Sequence, residues 1–246
     1  MENKKTLSVI TVTYNAKETL GRTIASVSEQ TYPYIQHVIV DGNSSDGTID
    51  MIRAYANTKT KWISEPDKGL YHAMNKAAKL ADGYYLCFLN AGDTFYLPDT
   101  VAQLMHEVDR EMRPDIVYGE TAIVDDEGQF LHMRRLKAPE VLTYKSFKQG
   151  MLVCHQAFIV RKDLFRPYDT NYRFSSDFDW AIRMMMGAHF IYNTNLVLIN
   201  YLNEGLTTAN RRASLKERFK IMVKHYGFVS TAIYHLWFVV RAAIKK

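Results

Sequence analysis

Four short apolar runs, each breaking into a polar loop and then into helical periodicity, fill roughly the first hundred residues. Leu7–Tyr14 (LSVITVTY) is a β-branched run that suits a strand covered on both faces, Tyr84–Leu89 reads as a buried apolar strand, and Ile35–Val40 and Lys61–Ser64 are the other two strands expected. After the first run, Asn15-Ala16-Lys17-Glu18 has capping-box spacing, and Leu20, Ile24 and Val27 recur at helical intervals until Pro33. The second run opens into Asp41-Gly42-Asn43-Ser44-Ser45-Asp46-Gly47, with Ile49, Ile52 and Tyr55 marking the next helix. The third leads through Glu65-Pro66-Asp67-Lys68-Gly69 to a helix over Leu70–Leu80. Repetition of strand, loop and helix demands an α/β fold with a mostly parallel, doubly wound sheet, and right-handed crossovers leave few topologies.

Such sheets bind ligands beyond the carboxyl ends of their strands. Three ends carry suitable groups: Thr13-Tyr14-Asn15, Asp41-Gly42-Asn43, and Asn90-Ala91-Gly92-Asp93 at the close of YYLCFLNAGDTF. Tyr14 can stack on a nucleobase, Asp41 can accept the imide N–H of a uracil, and Asp93 is a hard oxygen ligand suited to Mg2+ or Mn2+ bridging two phosphates. Asp46 is placed as a cap on the helix that follows it. Neither GxGxxG nor a GxxxxGK[ST] phosphate loop occurs, so dinucleotide and P-loop binding are unsupported.

Beyond Asp99 the pattern becomes mixed. A helix is predicted to about Met112, a strand over Asp115–Tyr118, a hairpin over Ile123–Arg135, a strand over Val153–Val160 and a helix over Phe178–Gly187. Phe190–Tyr201 holds short strand material, and helices are expected from Ser214 to Tyr226 and again from Phe228. No repeat or Pro/Gly-rich linker divides the chain. The expected organisation is a nucleotide-binding half (1–115), an acceptor-binding half of the same domain (116–210) and a basic helical tail (211–246).

Charge separates that tail from the rest. Residues 211–246 hold nine Lys/Arg and one acidic residue, net +8, whereas the other 210 residues hold 22 basic and 25 acidic, net −3. Within the tail, Ile233, Leu236, Trp237, Val240 and Ile244 share one helical face, as an interfacial helix on an anionic membrane would require. Its seventeen residues from Phe228 to Ile244 are marginal for crossing a bilayer. Cys87 and Cys154 lie far apart in apolar runs, which fits reduced core thiols, and no signal-peptide pattern is evident. The expected location is cytoplasmic, peripheral on the membrane.

TVTYNAKETL, VDGNSSDGT, EPDKGLYHAMNKA and LNAGDTF, in that order, resemble the successive motifs of the family 2 glycosyltransferases. The resemblance implies a Rossmann-like GT-A fold, a nucleotide-diphosphate-sugar donor such as a UDP-sugar, a Mn2+ or Mg2+ ion and, commonly, inversion at the anomeric carbon. It matches Thr13, Tyr14, Asn15, Asp41 and Asn43 to the nucleoside, and Asp67, Lys68 and Gly69 to the loop flanking base and phosphates. The family's metal motif is often DxD. Here its first acid is replaced, so Asn90 or Ala91 approaches the donor and Asp93 remains as the metal ligand. Ser175-Ser176-Asp177-Phe178-Asp179-Trp180 resembles the ED-type motif on the acceptor side, which assigns Asp177 as general base, the group that deprotonates a sugar hydroxyl as it attacks. Asp179, His155 and Gln156 are implied on that same side. The acceptor implied is a glycan or lipid-linked saccharide.

Two other classes compete. A membrane- or nucleic-acid-binding module would rest on the basic tail, but it leaves the acids at the strand ends unexplained, where a phosphate-backbone binder places Lys and Arg. No nucleic-acid partner is therefore expected. A nucleotidyltransferase would need an early glycine-rich basic loop, which is missing.

Overall fold

The computed structural model describes residues 6–203 and 210–244, without the side chains of residues 211, 239 and 241–244. The Ile244 side chain assigned to the tail's apolar face, and Lys245 and Lys246 counted in its charge, therefore lie outside the described residues.

The first four runs form the strands expected of them: β1 (Leu7–Thr13), β2 (Ile35–Asp41), β3 (Thr60–Ser64) and β4 (Tyr85–Phe88). They are parallel in the order β3-β2-β1-β4. Every residue of β1 and β4 is buried, as sheet interior covered on both faces requires. Between them run α1 (Lys17–Ser28), α2 (Thr48–Tyr55) and α3 (Leu70–Leu80). Register pairs Thr13 with Asp41, so those two strand ends lie side by side.

The capping box at residues 15–18 does not form. Asn15 adopts a left-handed φ of 47°, and the first amides of α1 are capped from the neighbouring loop. Ala16 N–H donates to Thr48 Oγ1 at 3.0 Å and Lys17 N–H to Asp46 Oδ2 at 3.0 Å. Asp46 also accepts from Thr48 N–H, so it caps its own helix as predicted while serving a second one.

The second half comprises β5 (Thr94–Phe95), α4 (Thr100–Arg110), β6 (Ile116–Val124), β7 (Phe130–Met133), β8 (Phe158–Arg161), α5 (Ser176–Gly187), β9 (Ile191–Leu202), α6 (Arg211–Tyr226) and α7 (Phe228–Ile244). It extends the sheet as β4-β8-β6-β9-β5, with β7 on β6. Here β4/β8, β8/β6, β6/β7 and β5/β9 are antiparallel, and outside the first four strands only the β6/β9 pair is parallel. β6 is longer than predicted because it continues through Gly119, whose added Cβ would lie 2.5 Å from the Leu196 carbonyl oxygen. The predicted strand from Val153 begins only at Phe158; His155–Ala157 is a 3-10 turn. The supposed short strands near Phe190 are one strand, β9.

The basic tail does not stand apart. Glu217 on α6 accepts the amides of Arg173 and Phe174, Ser214 meets Ser175 Oγ, and Lys224 and His225 bond Asp179 on α5. α7 packs Tyr234 and Phe238 inward and leaves Ile233, Leu236 and Trp237 exposed. Among the described residues no helix is long and apolar enough to cross a membrane.

Candidate active site

A cavity of about 570 Å³ opens at the carboxyl edge of β1 and β4 and extends to the start of α5. One wall carries Thr13, Tyr14, Asn90, Ala91 and Asp93; another carries Leu70, Tyr71 and Asp177. Two groups predicted for opposite ends of a transfer reaction therefore share one space.

The Tyr14 ring is 66% exposed, an unusual placement for so large an aromatic, and offers a stacking face. Gly42 makes room for it: a Cβ there would come within 3.2 Å of Tyr14 Cδ2. Thr13 Oγ1 and Asn90 Oδ1 are buried and lack hydrogen-bond partners among the described residues, so both await a donor group.

Asp41 reaches the expected sheet edge, but its side chain is closed off. Wholly buried, it accepts from Ser44 N–H at 2.9 Å, Ser44 Oγ and Ser64 Oγ at 2.6 Å. It shapes the loop instead of presenting a free carboxylate to a uracil. Asn15 holds the same loop by accepting from Ser45 N–H, and Asn43 sits exposed at φ 66°, a conformation asparagine tolerates. Neither lines the cavity. Asp67 pairs with Lys76 at 2.6 Å, while Lys68 and Gly69 are exposed just before the cavity-lining Leu70. Gly69, at φ 125°, allows the chain to turn into α3.

The turn 90–93 is held from α1. Thr23 Oγ1 accepts from Gly92 N–H and donates to the Asp93 carbonyl. Asp93 itself is 4% exposed, accepts from Gln156 Nε2 at 2.7 Å and from Leu202 N–H at 3.0 Å, and burial pushes its pKa up to about 7. Each of its oxygens keeps a second lone-pair position. No cluster of three His, Cys, Asp or Glu occurs among the described residues. What is present fits a divalent cation held partly by substrate phosphates: one carboxylate on the cavity wall and the partnerless Asn90 Oδ1.

On the other side, α5 begins where α6 pins Ser175, and Asp177 occupies its first turn, partly exposed to the cavity. Tyr71 Oη donates to Asp177 Oδ1 at 3.0 Å. Asp179 does not join it. It is wholly buried and bonds Arg183 at 2.6 Å, His225 at 2.8 Å and Lys224 at 3.1 Å, outside the cavity. These partners outweigh burial and hold its pKa low, so it is a charged staple between α5 and α6. The acceptor-side expectation for Asp179 is corrected accordingly.

His155 and Gln156 do line the cavity. Burial lowers the His155 pKa to about 4, leaving a neutral ring whose Nε2 meets Tyr168 Oη at 2.7 Å. Burial raises both thiols, Cys87 to about 12, so neither is a nucleophile. Tyr71, Arg134 and Arg218 also line the cavity, although the sequence does not single them out. Tyr71 falls in the helix expected over Leu70–Leu80, Arg134 in the expected hairpin and Arg218 in the basic tail. Arg134 is spent on the carbonyls of Leu136, Met151 and Leu152. Arg218 lies over the Phe178 ring, 5.8 Å from its centroid.

Comparison with known proteins identifies the family of the chain. The profile described as Glycosyl transferase family 2 matches residues 8–168. A PGL/p-HBAD biosynthesis glycosyltransferase of Mycobacterium bovis is 31% identical over 206 residues, covering 80% of this chain and 76% of that protein. Among solved structures, Staphylococcus aureus TarS 1–349 in complex with UDP-GlcNAc superposes with a TM-score of 0.70 at 20% identity, over 88% of this chain and 64% of the other. The mannosyltransferase PcManGT of Pyrobaculum calidifontis, in complex with GDP-Man and Mn2+, gives 0.66 at 18% identity, over 96% and 71%. At such identities the structural likeness is one of fold. This chain spans about two thirds of the TarS fragment.

Proposed function

This chain belongs to glycosyl transferase family 2, and we propose that it moves a sugar from a UDP-sugar to a hydroxyl of a glycan or lipid-linked saccharide, inverting the anomeric carbon. The observation that carries this reading is the single cavity lined by both the strand-end donor wall and Asp177.

Tyr14 stacks on the base, and Thr13 Oγ1 accepts a hydrogen bond from a hydroxyl or imide group of the nucleoside, which relieves its lack of a partner. Asp177 takes the proton from the acceptor hydroxyl as its oxygen attacks the anomeric carbon. The bond to the diphosphate breaks on the opposite face, so configuration inverts. Asp93 and Asn90 would hold Mn2+ or Mg2+ together with the diphosphate, and the ion would neutralise charge on the leaving group. His155 stays neutral and Gln156 fixes the Asp93 carboxylate from behind. Asp67, Lys68 and Gly69 form the outer lip next to the base.

The exposed apolar face of α7, at Ile233, Leu236 and Trp237, would rest on an anionic membrane on the cytoplasmic side, where a lipid-linked acceptor is presented. Calorimetric titration with UDP, GDP, CDP and TDP, each with Mn2+ or with EDTA, tests the donor assignment. Tight binding of UDP that weakens in EDTA supports it. Preference for GDP would reassign the base, and binding of none would refute a nucleotide site.

A further inference from the structure

The base assigned above does not stand alone on the cavity wall. Tyr71, in the first turn of α3, donates its hydroxyl hydrogen to Asp177 Oδ1 at 3.0 Å. Its ring is 6% exposed and stacks on Tyr168, with centroids 5.5 Å apart and planes at 27°. Tyr168 stacks in turn on Trp180, at 4.9 Å and 24°, and its hydroxyl meets His155 Nε2. Three rings from three parts of the chain thus fix the phenol from behind. Burial, reinforced by the charge of Asp177, holds the Tyr71 phenol well above its ordinary range, so it remains a donor at every working pH.

A carboxylate turns easily about its last torsion, because that well is broad and two-fold. Anchoring one oxygen removes this freedom and leaves Oδ2 as the oxygen that can meet an acceptor hydroxyl. We propose that Tyr71 is the positioning residue of the reaction, orienting Asp177 so that Oδ2 faces the attacking hydroxyl. The inference rests on the reading of Asp177 as the base. It also gives α3 a second duty, since the helix that follows the donor-flanking loop 65–69 sets the geometry of the acceptor side.

The test is a double-mutant cycle of Tyr71→Phe and Asp177→Asn, read by UDP release from whichever UDP-sugar the wild type turns over, by UDP calorimetry and by melting temperature. Phenylalanine keeps the ring stack and removes only the hydroxyl. Misplacing a catalytic group can cost on the order of 100-fold, so Tyr71→Phe is expected to lower kcat about 10- to 100-fold while donor KM, UDP affinity and melting temperature hold. In the Asp177→Asn background the same change should alter the residual rate less than about twofold, because coupled residues are non-additive. Unchanged kcat in Tyr71→Phe, a full additive loss in the double variant, or a parallel loss of UDP binding and melting temperature would each overturn the proposal. Wild-type turnover in Asp177→Asn would instead refute the base assignment, and that single variant reports it independently of Tyr71.

Discussion

Gln156 Nε2 donates to Asp93 Oδ2 at 2.7 Å, joining the turn after β4 to the 3-10 turn before β8. The bond crosses 63 residues of sequence and lies in the floor of the cavity. Gln156→Leu keeps the bulk and strands a buried carboxyl oxygen. The expected cost is about 1–3 kcal/mol, which for a chain of this size lowers the melting temperature by roughly 2–10 °C. An unaltered melting curve would show that the bond does not hold the turn.

Acid sensitivity follows from two buried histidines. Burial lowers His37 and His155 to about 4, whereas the unfolded chain titrates near 6.5. Between those values the unfolded state binds protons that the native state refuses. The histidine contribution is therefore complete above pH 6.5 and is lost as pH falls to about 4, by roughly 3 kcal/mol per histidine at most, and it exceeds the opposing gain from Asp93, whose raised pKa favours the native state as pH falls. Urea unfolding at pH 7 and pH 4.5 should show the loss, and His37→Gln should shrink the difference. An equal pH slope in that variant would contradict the assignment.

Gly92 has two separate reasons to be glycine. Its φ is 99°, and a Cβ would stand 2.7 Å from Leu202 Cδ2 at the end of β9. Gly92→Ala is expected to cost about 1–3 kcal/mol through backbone strain, with further loss where Leu202 must move. Chemical denaturation measures it. A neutral effect would mean the turn relaxes freely.

The exposed face of α7 makes a surface prediction. Ile233→Asp with Trp237→Asp changes residues that are 63% and 52% exposed, so the fold should keep its melting temperature. Cosedimentation with phosphatidylglycerol vesicles should fall sharply, while binding to purely zwitterionic vesicles is weak for both forms. Equal sedimentation would remove α7 from the membrane account.

The first half of the chain was legible because its information is local. Gly69 and the spacing of Leu70, Ala73, Met74 and Ala77 define α3, and each of the four strand runs ends in its own polar loop. The second half depends on partners distant in sequence. β6 and β9 pair from Ile116↔Ile191 to Val124↔Leu202, and no periodicity within either strand reveals the other. Asp177 and Asp179 show the same limit at the site. Residues two apart on a helix point about 200° apart, so one can face the cavity and the other α6, but sequence alone does not say which. Asp41 was legible in position and not in state, since the serines that close it off are not marked as its partners. The tail was read by its charge, while Ser214, Glu217, Ile221 and Met222 carry the face that docks it.

The most direct test of the central claim compares wild type with Asp177→Asn by UDP calorimetry and by UDP release from whichever UDP-sugar the wild type turns over. A positioned general base contributes typically 10²–10⁴-fold, so the account predicts unchanged UDP affinity and turnover reduced at least about 100-fold. Wild-type turnover in the variant, or loss of UDP binding in step with turnover, would contradict it.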